Sequence, residues 1–219
     1  MSSTTQKVGL VLVSYNRIKY LNQCIDSLLQ SDLTKLGMLC CVDDCSTEDV
    51  MPHLRRLKGI QNTRVVIAKT PRNSQIWGSL YFGHNYLYEQ GCDVMLNLDA
   101  DAIVNKNWLN RLLDLHSRFP NDIISGFNTP THPVTANLLD YYMKRTIGGI
   151  NMVFTRNTYA DIVRTAYEYN TSWDWEVSKR ASYSGRRLIV SKPSVIQHIG
   201  YESVMGHVRV DVAEDFTRD

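Results

Sequence analysis

Two carboxylates, Asp99 and Asp101, stand one residue apart at the end of the apolar run Val94–Leu98. A strand alternates its side chains, so both project from the same side where regular pairing ends. Like charges on one face repel, and in a packed interior neither ionises cheaply. A cation between them removes that cost. A hard divalent ion, Mg2+ or Mn2+, suits such oxygen ligands and usually keeps a phosphate as a further ligand. Taken alone, the pair also fits a plainer arrangement, with Asp99 capping the next turn and Asp101 in solvent.

Other polar side chains bear on that choice. Asp43 and Asp44 close the apolar run Leu36–Val42, and Ser14-Tyr15-Asn16-Arg17 follows the run Val8–Val13. Asp174 lies between Trp173 and Trp175, with Glu176 next. On local grounds Asp174 reads as a helix N-cap with Glu176 in the first turn. A single histidine beside a strand, such as His198, reads as packed or hydrogen-bonded, and His207 is a weaker candidate for chemistry. Arg186, Arg187 and Arg209 default to solvated surface.

The elements that must position these groups follow from periodicity. Val8–Val13 is unbroken, apolar and rich in β-branched residues, as in a strand covered on both faces. Leu21, Cys24, Ile25, Leu28 and Leu29 recur at helical spacing and predict a helix over 18–30, capped by Ser14 or Asn16. Strands are predicted at 36–42, 64–68, 93–101, 123–127, 148–154 and 188–190. Helices are predicted at 75–90 (closed by Gly91), 108–118, 158–169 (capped by Asn157 or Thr158) and 173–184 (stopped by Gly185). A short helix capped by Ser46 or Thr47 carries Glu48 and Asp49 in its first turn. Residues 128–137 read as a mobile loop, 138–145 fit no single state, and the tail from 208 reads as charged and disordered. Strands alternating with helices over the first 130 residues predict an α/β fold with a parallel sheet covered on both faces. Ligands of such sheets sit at the carboxyl ends of strands, where all three polar clusters fall.

Composition narrows the classes. The 219 residues, 43% hydrophobic and 21% charged, suit one soluble domain. A net charge of +2, with basic residues scattered, does not mark a nucleic-acid or membrane binder. No apolar run approaches the roughly 20 residues that span a bilayer. The polar N-terminus lacks a signal-peptide core. Five cysteines, an odd number without zinc-site spacing, fit a reducing cytoplasm.

In order along the chain, the motifs resemble those of the GT-A glycosyltransferases, especially the family-2 type. They are Val13-Ser14-Tyr15-Asn16-Arg17, then Val42-Asp43-Asp44-Cys45-Ser46-Thr47-Glu48-Asp49, then Leu98-Asp99-Ala100-Asp101 as a DXD motif. A Gly148-Gly149 strand follows, then Trp173-Asp174-Trp175-Glu176 with Ser184-Gly185-Arg186-Arg187. Cys45 stands where the family usually has glycine, and Trp173 where it has glutamate. The resemblance implies a Rossmann-like, mixed and mostly parallel sheet with helices on both faces. It implies one catalytic domain over 1–207, a nucleotide-binding half to about 101 and an acceptor half beyond.

It further implies that Ser14, Tyr15, Asn16, Arg17, Asp43, Asp44, Asn73, Trp77, Asp99 and Ala100 hold a nucleotide sugar, a UDP-sugar above others. Asp99, Asp101 and His198 would hold Mn2+ or Mg2+. Asp174 takes the place of the family's catalytic base, with Glu176 as the fallback, and its flanking indoles would reduce its hydration and raise its pKa. The expected activity is inverting, metal-dependent transfer of a sugar to an acceptor hydroxyl in glycan biosynthesis. The competing expectations are a catalytically silent sugar- or nucleotide-binding domain and a nucleotidylyltransferase. The latter usually carries a glycine-rich phosphate loop where Ser14–Arg17 stands here.

Overall fold

The computed structural model of the chain describes residues 6–201 and 211–218. Its main sheet has nine strands in the order β3-β2-β1-β4-β9-β6-β10-β8-β7. The parallel half is β1 (Val8–Ser14), β2 (Met38–Asp43), β3 (Arg64–Lys69) and β4 (Val94–Asp99). The other half mixes directions: β6 (Ile123–Ser125) runs parallel to β10 (Leu188–Ser191). β9 (Val153–Thr155) is antiparallel to both β4 and β6, and β8 (Tyr141–Lys144) is antiparallel to β10 and β7 (Val134–Asn137).

Alternation along the strands sends side chains into two cores. Leu10 and Leu12 face α1 (Ile18–Gln30), α2 (Met51–Arg55) and α4 (Trp108–Arg118), through Leu21, Ile25, Leu54 and Trp108. Val11 and Val13 face α3 (Gln75–Glu89), and the helical run 156–172 and α7 (Trp173–Tyr183) lie on the same side. That run holds α5 (Arg156–Thr158), a wider π turn, α6 (Arg164–Ala166) and a tight 3-10 stretch kinked at Asn170.

The strand order reverses between β1 and β4. Register aligns their ends: Val13 lies opposite Asp99, and Ser14 opposite Asp43. Such a switch point opens a crevice beyond the strand ends. A second, two-stranded sheet closes one side of it. β11 (Ile196–His198) pairs antiparallel with β5 (Ala102–Val104), placing His198 opposite Ala102.

Several expectations are corrected. Within 128–137 the residues Val134–Asn137 form β7, and 138–145 contains β8, because each strand is paired by its neighbour rather than by its own periodicity. β11, unforeseen, forms for the same reason. Neither Ser14 nor Asn16 caps α1; the Glu48 carboxylate accepts from the Arg17 and Ile18 N–H groups at 3.0 and 3.2 Å. Glu48 is therefore taken from the short helix, which starts later, at Met51, without a side-chain cap. Thr155, not Asn157 or Thr158, caps α5 by accepting from Thr158 N. Residues 211–218 are not a loose tail: Ala213 is buried, Phe216 packs on the core, and Asp215 accepts from Ser194 N and Oγ.

A clasp of two buried asparagines holds the middle of the sheet. Asn97 donates to Gly149 O (2.6 Å) and accepts from Met152 N (3.1 Å), while Asn151 donates to Asn97 O and accepts from Gly126 N. Asn97→Leu strands the Gly149 carbonyl and the Met152 amide without partners. We expect it to destabilise the fold by about 2–4 kcal/mol, given roughly 1–3 kcal/mol per orphaned buried group, as read from urea unfolding.

Candidate active site

Two cavities meet at the ends of β1 and β4. One, of about 350 Å3, is lined by Tyr15, Asn16, Arg17, Asp44 and Ala100, with Val13 and Tyr20 at its walls. The other, of about 400 Å3, is lined by His132, Gly149, Trp173, Asp174, Trp175 and His198, among others. Ile76, Asp99 and Asp101 line both. The acidic pair therefore forms the threshold between the two spaces.

The loop after β1 is bound tightly. Asn16 Oδ1 accepts from the Thr47 and Glu48 N–H groups at 2.8 and 3.0 Å, and Asn16 N donates to Ser46 Oγ at 2.7 Å. These bonds hold Asn16 and Arg17 at φ 51° and 58°, left-handed values that cost a non-glycine residue about 1 kcal/mol or more each. Asp44 accepts from Ser74 N and Oγ, both at 2.7 Å, and so ties the start of α3 to the same rim.

Arg17, Asp101 and His198 form one cluster. Asp101 Oδ2 lies 2.8 Å from Arg17 Nη1 and 3.2 Å from His198 Nε2. His198 Nδ1 lies 3.2 Å from the Asp211 carbonyl, a distance at which it donates. Gly200 backs the cluster: a Cβ there would collide with Asp101 Oδ2 and stand 2.7 Å from His198 Nε2 and 2.8 Å from Arg17 Nη2.

The carboxylates are pushed apart electrostatically. Burial raises Asp99, and the charges of Asp101 and Asp174 raise it further. Burial opposes ionisation of Asp101 too, but His198 and Arg17 outweigh it and bring its pKa below the usual value. Burial works against charge on His198, yet Asp101 and the Asp211 carbonyl raise it on balance. Asp174 is raised by burial, despite accepting from Trp175 N (2.9 Å) and Gly149 N (3.2 Å). Neighbouring carboxylates with diverging affinities for protons are suited to different tasks.

Expected and observed positions differ in part. Ser14 and Asp43 are buried behind the cavity: Ser14 Oγ has no partner among the described residues, and Asp43 accepts from Ser46 N and faces Lys69 Nζ at 3.5 Å. Asn73 is exposed and caps Gln75 N, and Trp77 donates to Gln75, so neither lines the first cavity. Glu176 is held by Arg180 (2.8 Å) and Lys179 (3.5 Å) and lines neither cavity. Asp174 is not an N-cap; α7 begins one residue earlier, behind Ser172. Trp173 is buried against Gly149, whereas Trp175 is 49% exposed at the mouth. Arg186 and Arg187 are engaged with Asp161 and Asp122, not with the site. His207 and Arg209 lie outside the described residues.

Sequence reasoning missed Tyr20, Ile76, His132 and Asp211. His132 bonds Thr146 Oγ1 at 2.8 Å and lies 5.4 Å from the Trp175 ring, with burial lowering its pKa. Nothing in residues 128–137 marked it. Tyr20 and Ile76 were legible only as helix residues.

For a divalent ion the donor chemistry is appropriate. Asp101 and His198 converge, Asp99 Oδ1 is enclosed with no partner among the described residues, and Gly200 leaves the space a side chain would fill. The set is incomplete on its own. Among the described residues no group of three His, Cys, Asp or Glu is disposed to hold an ion. Two protein ligands, with phosphate and water supplying the rest, fit the habit of Mg2+ and Mn2+.

The family model described as "Glycosyl transferase family 2" matches residues 10–137. The fold superposes on GalNAc-T7, crystallised with UDP, GalNAc and Mn2+, with a TM-score of 0.70, 14% identity, 90% of this chain and 44% of that one. S. aureus TarS gives 0.61 at 18% identity, over 84% of this chain and 58% of that one. TarS in complex with UDP gives 0.60 at 16%, over 84% and 57%. At these identities the likeness is one of fold, and the chain spans about half the length of each structure. No curated protein matches the chain.

Proposed function

The chain belongs to glycosyl transferase family 2 and has the GT-A fold, and from that premise we propose that it moves a sugar from a UDP-sugar to an acceptor hydroxyl with inversion. The observation that carries the reading is the shared threshold of the two cavities. Asp99 and Asp101 border both, with Asp174 in the second alone. A donor in the first cavity and an acceptor in the second meet there. GalNAc-T7 with UDP and Mn2+, and TarS with UDP, support UDP as the nucleotide.

In this reading Tyr15, Asn16, Arg17, Asp44 and Ala100 hold the nucleotide. Asp101 and His198, with Asp99 beside them, hold Mn2+ or Mg2+. The bound ion supplies Lewis-acid neutralisation of the charge on the departing diphosphate. Asp174, at the far side of the threshold, takes the acceptor proton, and one displacement on the face opposite the leaving group inverts the anomeric carbon. Trp175 offers an indole face to the acceptor sugar. Asn97 fixes Gly149, whose N–H steadies the Asp174 carboxylate.

A panel of nucleotide sugars, titrated calorimetrically with and without Mn2+ and assayed for donor hydrolysis, tests the reading. Expected are Mn2+-dependent binding and slow hydrolysis of one UDP-sugar. Binding without hydrolysis or transfer favours the silent binding domain, to which the Arg17–Asp101 contact lends some support. Binding of no nucleotide sugar removes the proposal. Gly200→Ala is a sharper probe: its Cβ forces Asp101, His198 and Arg17 apart. We expect UDP binding with Mn2+ to weaken about tenfold or more, about 1.4 kcal/mol.

A further inference from the structure

The side chain seated on Asp101 is itself a cation. A guanidinium is a planar cation that offers donors and no acceptor. Arg17 Nη1 lies 2.8 Å from Asp101 Oδ2, on the same oxygen that faces His198. Its guanidinium lies 4.5 Å above the Tyr20 ring, which steadies it from the far side. The left-handed backbone at Asn16 and Arg17, held by Ser46, Thr47 and Glu48, puts it there. Its Nη2 is enclosed and has no hydrogen-bond partner among the described residues. Arg17 also lines the first cavity.

A divalent ion on Asp101 and His198 would therefore meet a positive charge already in place. The guanidinium fork matches phosphate oxygens as well as it does a carboxylate. Resting on the donor and metal reading above, we propose that Arg17 is an exchangeable counter-ion. It neutralises Asp101 while the donor is absent, yields that oxygen to the divalent ion, and turns its guanidinium onto the donor diphosphate. Metal and nucleotide then assist each other through one side chain, and the coupling is reciprocal. Arg17 is in this sense a binding and positioning residue, not one that exchanges protons.

The test uses Mn2+ alone, followed by free-ion electron paramagnetic resonance, and UDP alone in EDTA, followed by calorimetry. Arg17→Ala removes the guanidinium; Arg17→Gly does so at a residue type that accepts positive φ without strain, and so guards against misfolding. Both variants are expected to bind Mn2+ alone about tenfold more tightly than the unaltered chain, and UDP in EDTA about tenfold more weakly, each about 1.4 kcal/mol. Equal Mn2+ affinity in variant and parent, or equal UDP affinity, overturns the exchange. Mn2+ bound by none of the proteins even with UDP present overturns the metal reading itself, and the exchange with it.

Discussion

Asp101→Ala is expected to lower donor hydrolysis and transfer by about 10³-fold or more and to abolish the Mn2+ dependence of UDP binding. Asp101 is the group on which the cluster converges: Arg17 and His198 both address its Oδ2. Those two partners hold it ionised against the burial that opposes charge there. A divalent ion that neutralises a departing diphosphate contributes several kcal/mol, and each ~1.4 kcal/mol is a tenfold change in rate. Without Asp101, His198 and the half-buried Asp99 remain, and Asp99 is raised by burial and by nearby acids. Asp101→Asn keeps the shape and removes the charge, so both variants should fail alike. Unchanged Mn2+-dependent UDP binding in calorimetry would rule the cluster out as the metal site.

Asp174→Asn should separate binding from transfer. Gly149 N and Trp175 N donate to different oxygens of the carboxylate, so the single asparagine oxygen keeps the bond from Gly149 N while the exposed Trp175 turn gives up its own. We expect UDP affinity to stay within about twofold, while transfer drops by about 10²–10⁴-fold, the usual contribution of a positioned base. The pH profile adds an independent reading. Burial raises the Asp174 pKa, so the base is lost as pH falls through a value above that of a solvated aspartate. The acid limb of the rate should therefore lie higher than for a solvated aspartate and should vanish in the variant.

Stability should respond in the opposite sense. A carboxyl whose folded pKa is raised favours the fold when protonated, and that contribution is lost as pH rises through the folded value. Relative to the parent, Asp174→Asn should thus gain in melting temperature as pH rises to neutral, and that gain should shrink on acidification. Full transfer by the variant would dismiss Asp174 as the base. Activity and stability pulling in opposite directions at one residue is a common mark of a functional site.

How much of this was legible in advance differs by element. β1, α1, β3 and α4 were read within a residue or two: α1 and α4 because a buried face imposes a period of 3.6 on residue type, β1 as an unbroken apolar run buried on both faces, and β3 as a short β-branched run. β7, β8 and β11 were not, being three or four residues long and held by their partners. Glu48 shows the same limit: a first-turn acid by local rules, it caps a different helix across a loop.

Residue order settled the parallel half of the sheet and the acids at its strand ends, because strand and carboxylate are neighbours in the chain. Folding decided which of those acids share a space. Asp43, the last residue of β2, is sealed behind the rim, while Asp44, just past the strand end, lines the cavity. His198 reaches Asp101 only through the pairing of β11 with β5, and Asp174 reaches the threshold only through Gly149 and the asparagine clasp. Contacts between distant segments leave no repeating trace in composition, so no periodicity announces them; they exist once the backbone hydrogen bonds and the two cores have closed around them.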